Sequence, residues 1–260
     1  MPFAPQLRLT STTHGWWMQD RYTGDIGDFA TYGLLRALAD GYRLGFAWYL
    51  YPDESHNQDG RHTDYLDHPD RWRHLDPELF DALRSIVESG RRMVQDIESS
   101  DLFADAVFSG RLLKFDGNKQ DRSAQRKHWF QATLGELSGC DLVFADPDNG
   151  LRDDEAYQHG AVKHWKSIPL SEAHALSAER TAIVYHHNSR FPGGHAMEIR
   201  HWLRRLGPDS LALYWRKTSP RTFFIVHPKQ EIRHRTGEFV EKWSPYFELH
   251  ASSCGSTRHT

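Results

Sequence analysis

Cys140-Asp141-Leu142-Val143-Phe144-Ala145-Asp146-Pro147-Asp148-Asn149-Gly150-Leu151 passes from an unbroken apolar run into two carboxylates and an amide within a few residues. A short apolar run without alternation reads as a strand buried on both faces, the habit of a parallel sheet covered by helices. Pro147 fixes the backbone at the exit, and Gly150 permits a turn with positive φ. In such sheets ligands collect beyond the carboxyl ends of the strands, so Asp146, Pro147, Asp148 and Asn149 are the leading catalytic candidates. The bland alternative is a turn whose Asp and Asn side chains bond their own backbone.

Working outward, strands alternate with helices. Phe29, Tyr32, Leu35 and Leu38 recur at helical spacing, with Asp28 as the expected cap and Gly41 as the stop. An apolar run from Leu44 to Tyr51 reads as the first buried strand. Asp76-Pro77 opens a helix bearing Leu79, Phe80, Leu83, Ile86 and Val87, and a second helical piece through Met93 and Ile97 makes residues 62 to about 106 a helical insertion. A short strand is expected at Leu112 to Phe115, a helix at Arg122 to Leu137, helices at Leu170 to Arg180 and Ala196 to Leu206, and a strand at Thr181 to Tyr185. Leu211 to Trp215 and Thr222 to Val226 are joined by too few residues for a crossover and should form an antiparallel hairpin at the sheet edge. A last helix near Glu238 to Trp243 precedes a polar tail, mobile from about residue 250. Trp16-Trp17 is expected to dock the N-terminal segment on the core. The sum is one α/β domain over residues 1–260, a three-layer sandwich on a mostly parallel sheet.

Composition sets the outer limits. Aromatic residues reach 13% and the apolar set 38% of 260 residues, enough for a packed core. A net charge of -3 leaves no global field to gather a polyanion, so nucleic acid would need a local patch. Arg122, Arg126 and Lys127 form one candidate patch and Arg200, Arg204 and Arg205 another, each equally readable as the solvated side of a helix. Cys140 and Cys254 lie in unrelated contexts and suggest neither a disulfide framework nor a zinc cage, which fits a reducing cytoplasm. No stretch approaches the roughly 18 apolar residues that span a bilayer, and no secretory leader is read.

Three further segments carry polar groups where strands or helices begin or end. Gly24-Asp25-Ile26-Gly27-Asp28 is an acidic, glycine-spaced turn entering a helix; its acids (Asp20 lies just upstream) suit an amine, hydroxyl or metal better than a phosphate. Gly24, Asp25 and Asp28 are therefore substrate-binding candidates. Tyr51, Asp53, Glu54, Asp59 and Gly60 follow the first strand and could meet ribose hydroxyls or an ammonium group. His186, His187 and Arg190 follow the strand ending at Tyr185; adjacent histidines point apart and do not chelate one ion, so one of them, with Arg190, is expected to line the pocket. No Gly-x-Ser-x-Gly elbow, Walker loop or Gly-x-Gly-x-x-Gly fingerprint is present, which disfavours serine hydrolases, P-loop NTPases and ordinary dinucleotide oxidoreductases.

The order of these motifs resembles the Rossmann-like class I methyltransferases that use S-adenosylmethionine, particularly the bacterial adenine-N6 methyltransferases of ribosomal RNA. The matching parts are the turn Gly24-Asp25-Ile26-Gly27-Asp28-Phe29, the insertion at 62–106, Asp146-Pro147-Asp148-Asn149 in place of Asp-Pro-Pro-Tyr, and the hairpin Leu211 to Val226. The chain also looks like a bacterial and phage family marked by Asp-Arg-Tyr-x-Gly-Asp-Ile-Gly-Asp-Phe and Asp-Pro-Asp-Asn-Gly-Leu, to which no activity is attached. The first resemblance implies that Asp146 and the Pro147 carbonyl orient an exocyclic amine of a nucleobase or related substrate, with residues 51–60 covering the cofactor. Two positions depart from that family: Asp148 and Asn149 replace a proline and a base-stacking aromatic, and Tyr51-Pro52-Asp53-Glu54 replaces a glycine-rich turn. A stacking ring would then come from elsewhere, with Tyr157 and Phe191 as candidates. Two other readings use the same residues: Asp25, Asp28, Asp146 and Asp148 as an oxygen cluster holding Mg²⁺ or Mn²⁺ for phosphodiester hydrolysis, or a non-catalytic nucleotide- or protein-binding module on a degenerate scaffold.

Overall fold

A computed structural model of the chain describes residues 23–51 and 62–252. Its first elements are α1 (Ile26–Ala39) and β1 (Leu44–Trp48), followed by the insertion, which holds α2 (Pro69–Trp72), α3 (Pro77–Glu88) and α4 (Val94–Glu98). β2 (Val107–Ser109), α5 (Lys119–Glu136) and β3 (Leu142–Asp146) come next, then a short pair, β4 (Gly150–Arg152) and β5 (Ser167–Pro169). α6 (Leu170–Leu176), β6 (Thr181–His187), α7 (Gly194–Leu206), β7 (Leu211–Trp215), β8 (Arg221–Val226), α8 (Gln230–Lys242) and β9 (Phe247–Ala251) complete the order.

Seven strands form the central sheet in the order β2-β1-β3-β6-β8-β7-β9, and β4 pairs with β5 in a separate two-stranded sheet. β2, β1, β3 and β6 run parallel, while β8 lies antiparallel between β6 and β7. The architecture is thus a mixed α/β fold on a mostly parallel sheet. The chain steps from β1 outward to β2 and then returns to place β3 on the other side of β1, so the strand order reverses between β1 and β3. Trp48 pairs with Asp146 at the carboxyl end of that junction.

Side-chain alternation divides the core. Leu44, Phe46 and Trp48 of β1 and Leu142 and Phe144 of β3 point toward α1, α3 and α8, whereas Ala47, Val143 and Ala145 point toward α5, α6 and α7. On the first face Phe46 packs with its ring centroid 4.8 Å from Phe108, 5.0 Å from Trp48 and 6.0 Å from Phe144. Each such buried ring contributes about 2–3 kcal/mol of burial free energy, which fixes which face of the strand looks where.

Several expectations need correction. Asp25, not Asp28, caps α1: its side chain accepts the Asp28 N–H. The first strand stops at Trp48 rather than Tyr51. The strand expected at Leu112 to Phe115 lies instead at Val107–Ser109, where it pairs with Gly45–Ala47; the Leu113 N–H only donates a single bond to the Leu50 carbonyl, at 2.7 Å. β6 runs on to His187, so both histidines belong to the strand. The hairpin is not at the edge, because β9 pairs outside β7, and that strand occupies positions up to Ala251 that were expected to begin a tail. α8 also begins at Gln230, well before the expected start at Glu238. Residues Trp16-Trp17, Asp53, Glu54, Asp59 and Gly60 lie outside the described residues. The helix announced by Asp76-Pro77 is present as read, with Asp76 accepting the Leu79 N–H at 3.1 Å.

Candidate active site

α1 begins with a reciprocal pair of carboxylate contacts. Asp25 Oδ1 accepts the Asp28 N–H at 2.9 Å, and Asp28 Oδ2 accepts the Gly24 N–H at 3.0 Å. The insertion holds this turn from outside: the Tyr65 hydroxyl donates to the Gly24 carbonyl at 3.3 Å, and Arg92 Nε donates to the Thr23 carbonyl at 2.7 Å. Facing the turn is Asp146, which continues the Leu142–Phe144 alternation on the α1 side of β3. The topology therefore brings Gly24, Asp25, Asp28 and Asp146 together at the strand-order reversal.

Burial and mutual repulsion dominate the electrostatics. Burial first, then the Asp148 charge, pushes the Asp146 carboxyl up to about 7, against the opposing pull of Arg221. Burial, then Asp25 and, more weakly, Asp146, holds the Asp28 carboxyl well above the ordinary carboxylate range. Burial, together with the Asp28, Asp146 and Asp25 charges, likewise keeps the Tyr32 hydroxyl protonated. The Tyr185 hydroxyl rises to about 12, chiefly by burial.

Arg221 is the resident cation. It opens β8 opposite His187, is buried, and sits with its guanidinium carbon 5.7 Å from the Tyr185 ring centroid. Burial works to remove its charge, but Tyr185, Asp25, Asp28 and Asp146 together hold the proton more firmly than usual. The guanidinium lies against the first turn of α1 because residue 27 is glycine: a Cβ there would fall within 2.6 Å of three guanidinium atoms. Arg221, Tyr185 and Tyr32 were not among the expected site residues; the one signal was a charged residue at the head of an otherwise apolar strand.

The remaining candidates are dispersed. Pro147 is buried and its carbonyl accepts the Gly150 N–H at 3.0 Å; Asn149 is exposed, its N–H donating to the Lys166 carbonyl at 2.8 Å. Lys166 Nζ stands 4.6 Å from the Tyr51 ring centroid. His187 is exposed at the end of β6, on the pit side of the sheet, and Arg190 is exposed in the loop beyond it. His186 points to the opposite face, as strand alternation requires. Its Nδ1 accepts the Leu151 N–H at 3.0 Å, and Nε2 lies 3.2 Å from Glu198 Oε1. Glu198 also accepts from Asn188 Nδ2, Ser189 N and Ser189 Oγ. Although burial opposes it, this set of donors holds the Glu198 carboxyl down at about 2. Gly150, with φ +75°, makes room for His186: a Cβ would meet Nδ1 at 2.3 Å. His186 is therefore a structural group that anchors the 188–189 loop, away from the carboxyl pit.

The expected basic patch on α5 also changes character. Arg126 is fully buried and makes a bidentate pair with Glu172 at 2.9 and 2.7 Å, its guanidinium 4.6 Å from the Trp129 ring centroid. Tyr157 is buried near the same guanidinium, on the α5 face, and Phe191 packs on His201 with centroids 5.3 Å apart. Arg205 is drawn to Asp153, at 3.1 Å. Among the described residues no group of three or more His, Cys, Asp and Glu side chains is placed to hold a metal ion, and no helix is long and apolar enough to cross a membrane.

No family model and no curated protein matches this chain.

Proposed function

We propose that the chain is a Rossmann-like methyltransferase that binds S-adenosylmethionine over the carboxyl pit and methylates an amine of a nucleobase or related substrate. The observation that carries the reading is Asp146: a carboxylate at the end of the strand flanking the order reversal, half-buried and surrounded by further acids. Three carboxyls (Asp25, Asp28 and Asp146) face one guanidinium there, and Asp148 adds its charge beside Asp146, so the pit favours a ligand bearing positive charge and hydrogen-bond donors. S-adenosylmethionine meets that description through its sulfonium and ammonium groups and supplies an electrophilic methyl group. The same balance disfavours an unaccompanied phosphodiester. With Arg221 already seated among the acids and no group of metal ligands among the described residues, the metal-hydrolase reading has less support.

In this reading Asp146, ionised above pH 7, accepts a hydrogen bond from the substrate amine and takes up the proton it sheds on alkylation. Its raised pKa places it in the range suited to a general base at neutral pH. The second lone pair of the Pro147 carbonyl offers another acceptor. Asp25 faces the cationic end of the cofactor, whose arriving charge favours ionisation of the neighbouring Asp28, and Tyr32 and Tyr185, kept protonated, donate hydroxyl hydrogens. Arg221 prevents the cluster from neutralising itself entirely by protonation.

Titration calorimetry distinguishes the readings. S-adenosylmethionine should bind with 1:1 stoichiometry while Mg²⁺ and Mn²⁺ give no heat beyond dilution. Metal binding without cofactor binding would reverse the assignment, and binding of neither would favour a non-catalytic module.

A further inference from the structure

We propose that the pocket between the first turns of α5 and residues 157–160 is a binding site for a phosphomonoester, separate from the carboxyl pit. α5 leads from β2 into the parallel β3, so its N-terminal end stands at the carboxyl rim of the sheet, but on the face opposite Asp28 and Asp146. The pocket measures about 590 Å³, within the range of about 300–1,000 Å³ usual for small-molecule sites and larger than a phosphate alone needs. The phosphate would therefore arrive on a small organic body.

The lining is one-sided in charge. Lys119, Ser123 and Lys127 recur every four residues, which puts two ammonium groups and a hydroxyl along one side of the helix. The facing wall is Tyr157, Gln158 and His159, and no carboxylate among the described residues lines the space. Lys119 rests on a neutral partner, Gln158 Oε1, at 2.8 Å, so its charge is not cancelled. The wall is built to approach the helix closely: Arg122 Nε donates to the Gly160 carbonyl at 3.2 Å, and a Cβ on Gly160 would meet the Lys119 carbonyl oxygen at 2.1 Å. Behind the pocket the Arg126–Glu172 pair is internally balanced and contributes no competing anion.

His159 reports the local field. Its pKa is lowered by burial and by the Arg126 and Lys127 charges, with Asp154 opposing, while Glu172 Oε1 is 4.0 Å from Nε2. An imidazole held neutral beside Arg126 and Lys127 accepts a proton more readily once a dianion is bound against Lys127. Two flexible ammonium groups and a hydroxyl along one wall suit a tetrahedral dianion with several acceptor oxygens better than a planar monocarboxylate.

The test uses adenosine 5′-monophosphate as the phosphomonoester and adenosine as its uncharged counterpart, titrated into the full chain at low salt. The nucleotide should bind, inorganic phosphate should compete with it, and adenosine should bind at least tenfold more weakly. The double variant Lys119→Gln/Lys127→Gln, altered only at exposed side chains, should keep the wild-type melting temperature and lose at least tenfold in nucleotide affinity. Any S-adenosylmethionine binding should be unchanged in that variant, which separates this site from the carboxyl pit. By NMR, the His159 imidazole should titrate at higher pH in the nucleotide complex than in the free protein. No nucleotide binding at millimolar concentration, equal affinity for adenosine, or wild-type affinity in the double variant would each overturn the proposal.

Discussion

Replacing Asp146 with Asn should stabilise the fold at alkaline pH while removing the proposed activity. Its carboxyl titrates near 7 in the folded protein against 3.8 ordinarily, so the folded state holds a proton that the unfolded chain has already released. Below about pH 4 both states are protonated and the group costs nothing. Between pH 4 and 7 the unfolded chain ionises first and folded stability falls; above 7 the loss is complete. That difference corresponds to about 4 kcal/mol, an upper bound because the carboxyl is partly open to water, and about 2 kcal/mol is a realistic expectation. Asn keeps the shape and removes the charge, so Asp146→Asn should melt about 4–8 °C higher than wild type at pH 8 and at nearly the same temperature at pH 4. Differential scanning calorimetry at the two pH values makes the comparison. An equal shift at both, or a lower melting temperature at pH 8, would refute the claim that Asp146 is a buried carboxylate held at a cost to stability.

Other predictions follow from the same geometry. Gly27→Ala should displace the Arg221 guanidinium, lowering stability by about 1–3 kcal/mol despite alanine's better helix propensity, and should shift the apparent pKa of the pit carboxyls further upward by NMR. Glu172→Gln leaves Arg126 buried without a counter-charge and should cost about 3–5 kcal/mol in urea unfolding, whereas Arg126→Met with Glu172→Leu should recover most of that loss. The Glu198 carboxyl is depressed to about 2, so it stabilises the fold above pH 4.5 and loses that contribution as pH falls toward 2; Glu198→Gln should cost about 2–3 kcal/mol at pH 7 and converge with wild type near pH 2.

Much of this architecture can be read from local signals. Asp76-Pro77 marks the start of α3 because cap and proline act within one turn, and the unbroken apolar runs of β1 and β3 betray strands covered on both faces. The polar residues placed directly after β3 locate one side of the pit. What escapes a linear reading is pairing. The run ending at Ser109 and the run at Leu112 to Phe115 are both short and apolar, and only the neighbour Gly45–Ala47 selects the first. β9 has the alternating pattern of an edge strand, yet nothing local says that it lies beside β7 and pushes the hairpin inward. Arg126 looks like part of a solvated basic run until Glu172, 46 residues later, arrives beside it. His186 and His187 differ in role only through strand parity, and Arg221 joins the acids only because β8 is inserted next to β6.

The most direct test of the central claim is the pH dependence of S-adenosylmethionine affinity in wild type and Asp146→Asn. The amine held by Asp146 faces the sulfonium methyl, so the ionised Asp146 carboxylate also lies in the field the cofactor's positive charge meets; wild-type affinity should therefore rise about eightfold between pH 6 and 7.5, following ionisation near 7, and the Asn variant should bind weakly with a flat profile. Cofactor binding that is equally tight in the variant, or that weakens as Asp146 ionises, would contradict it.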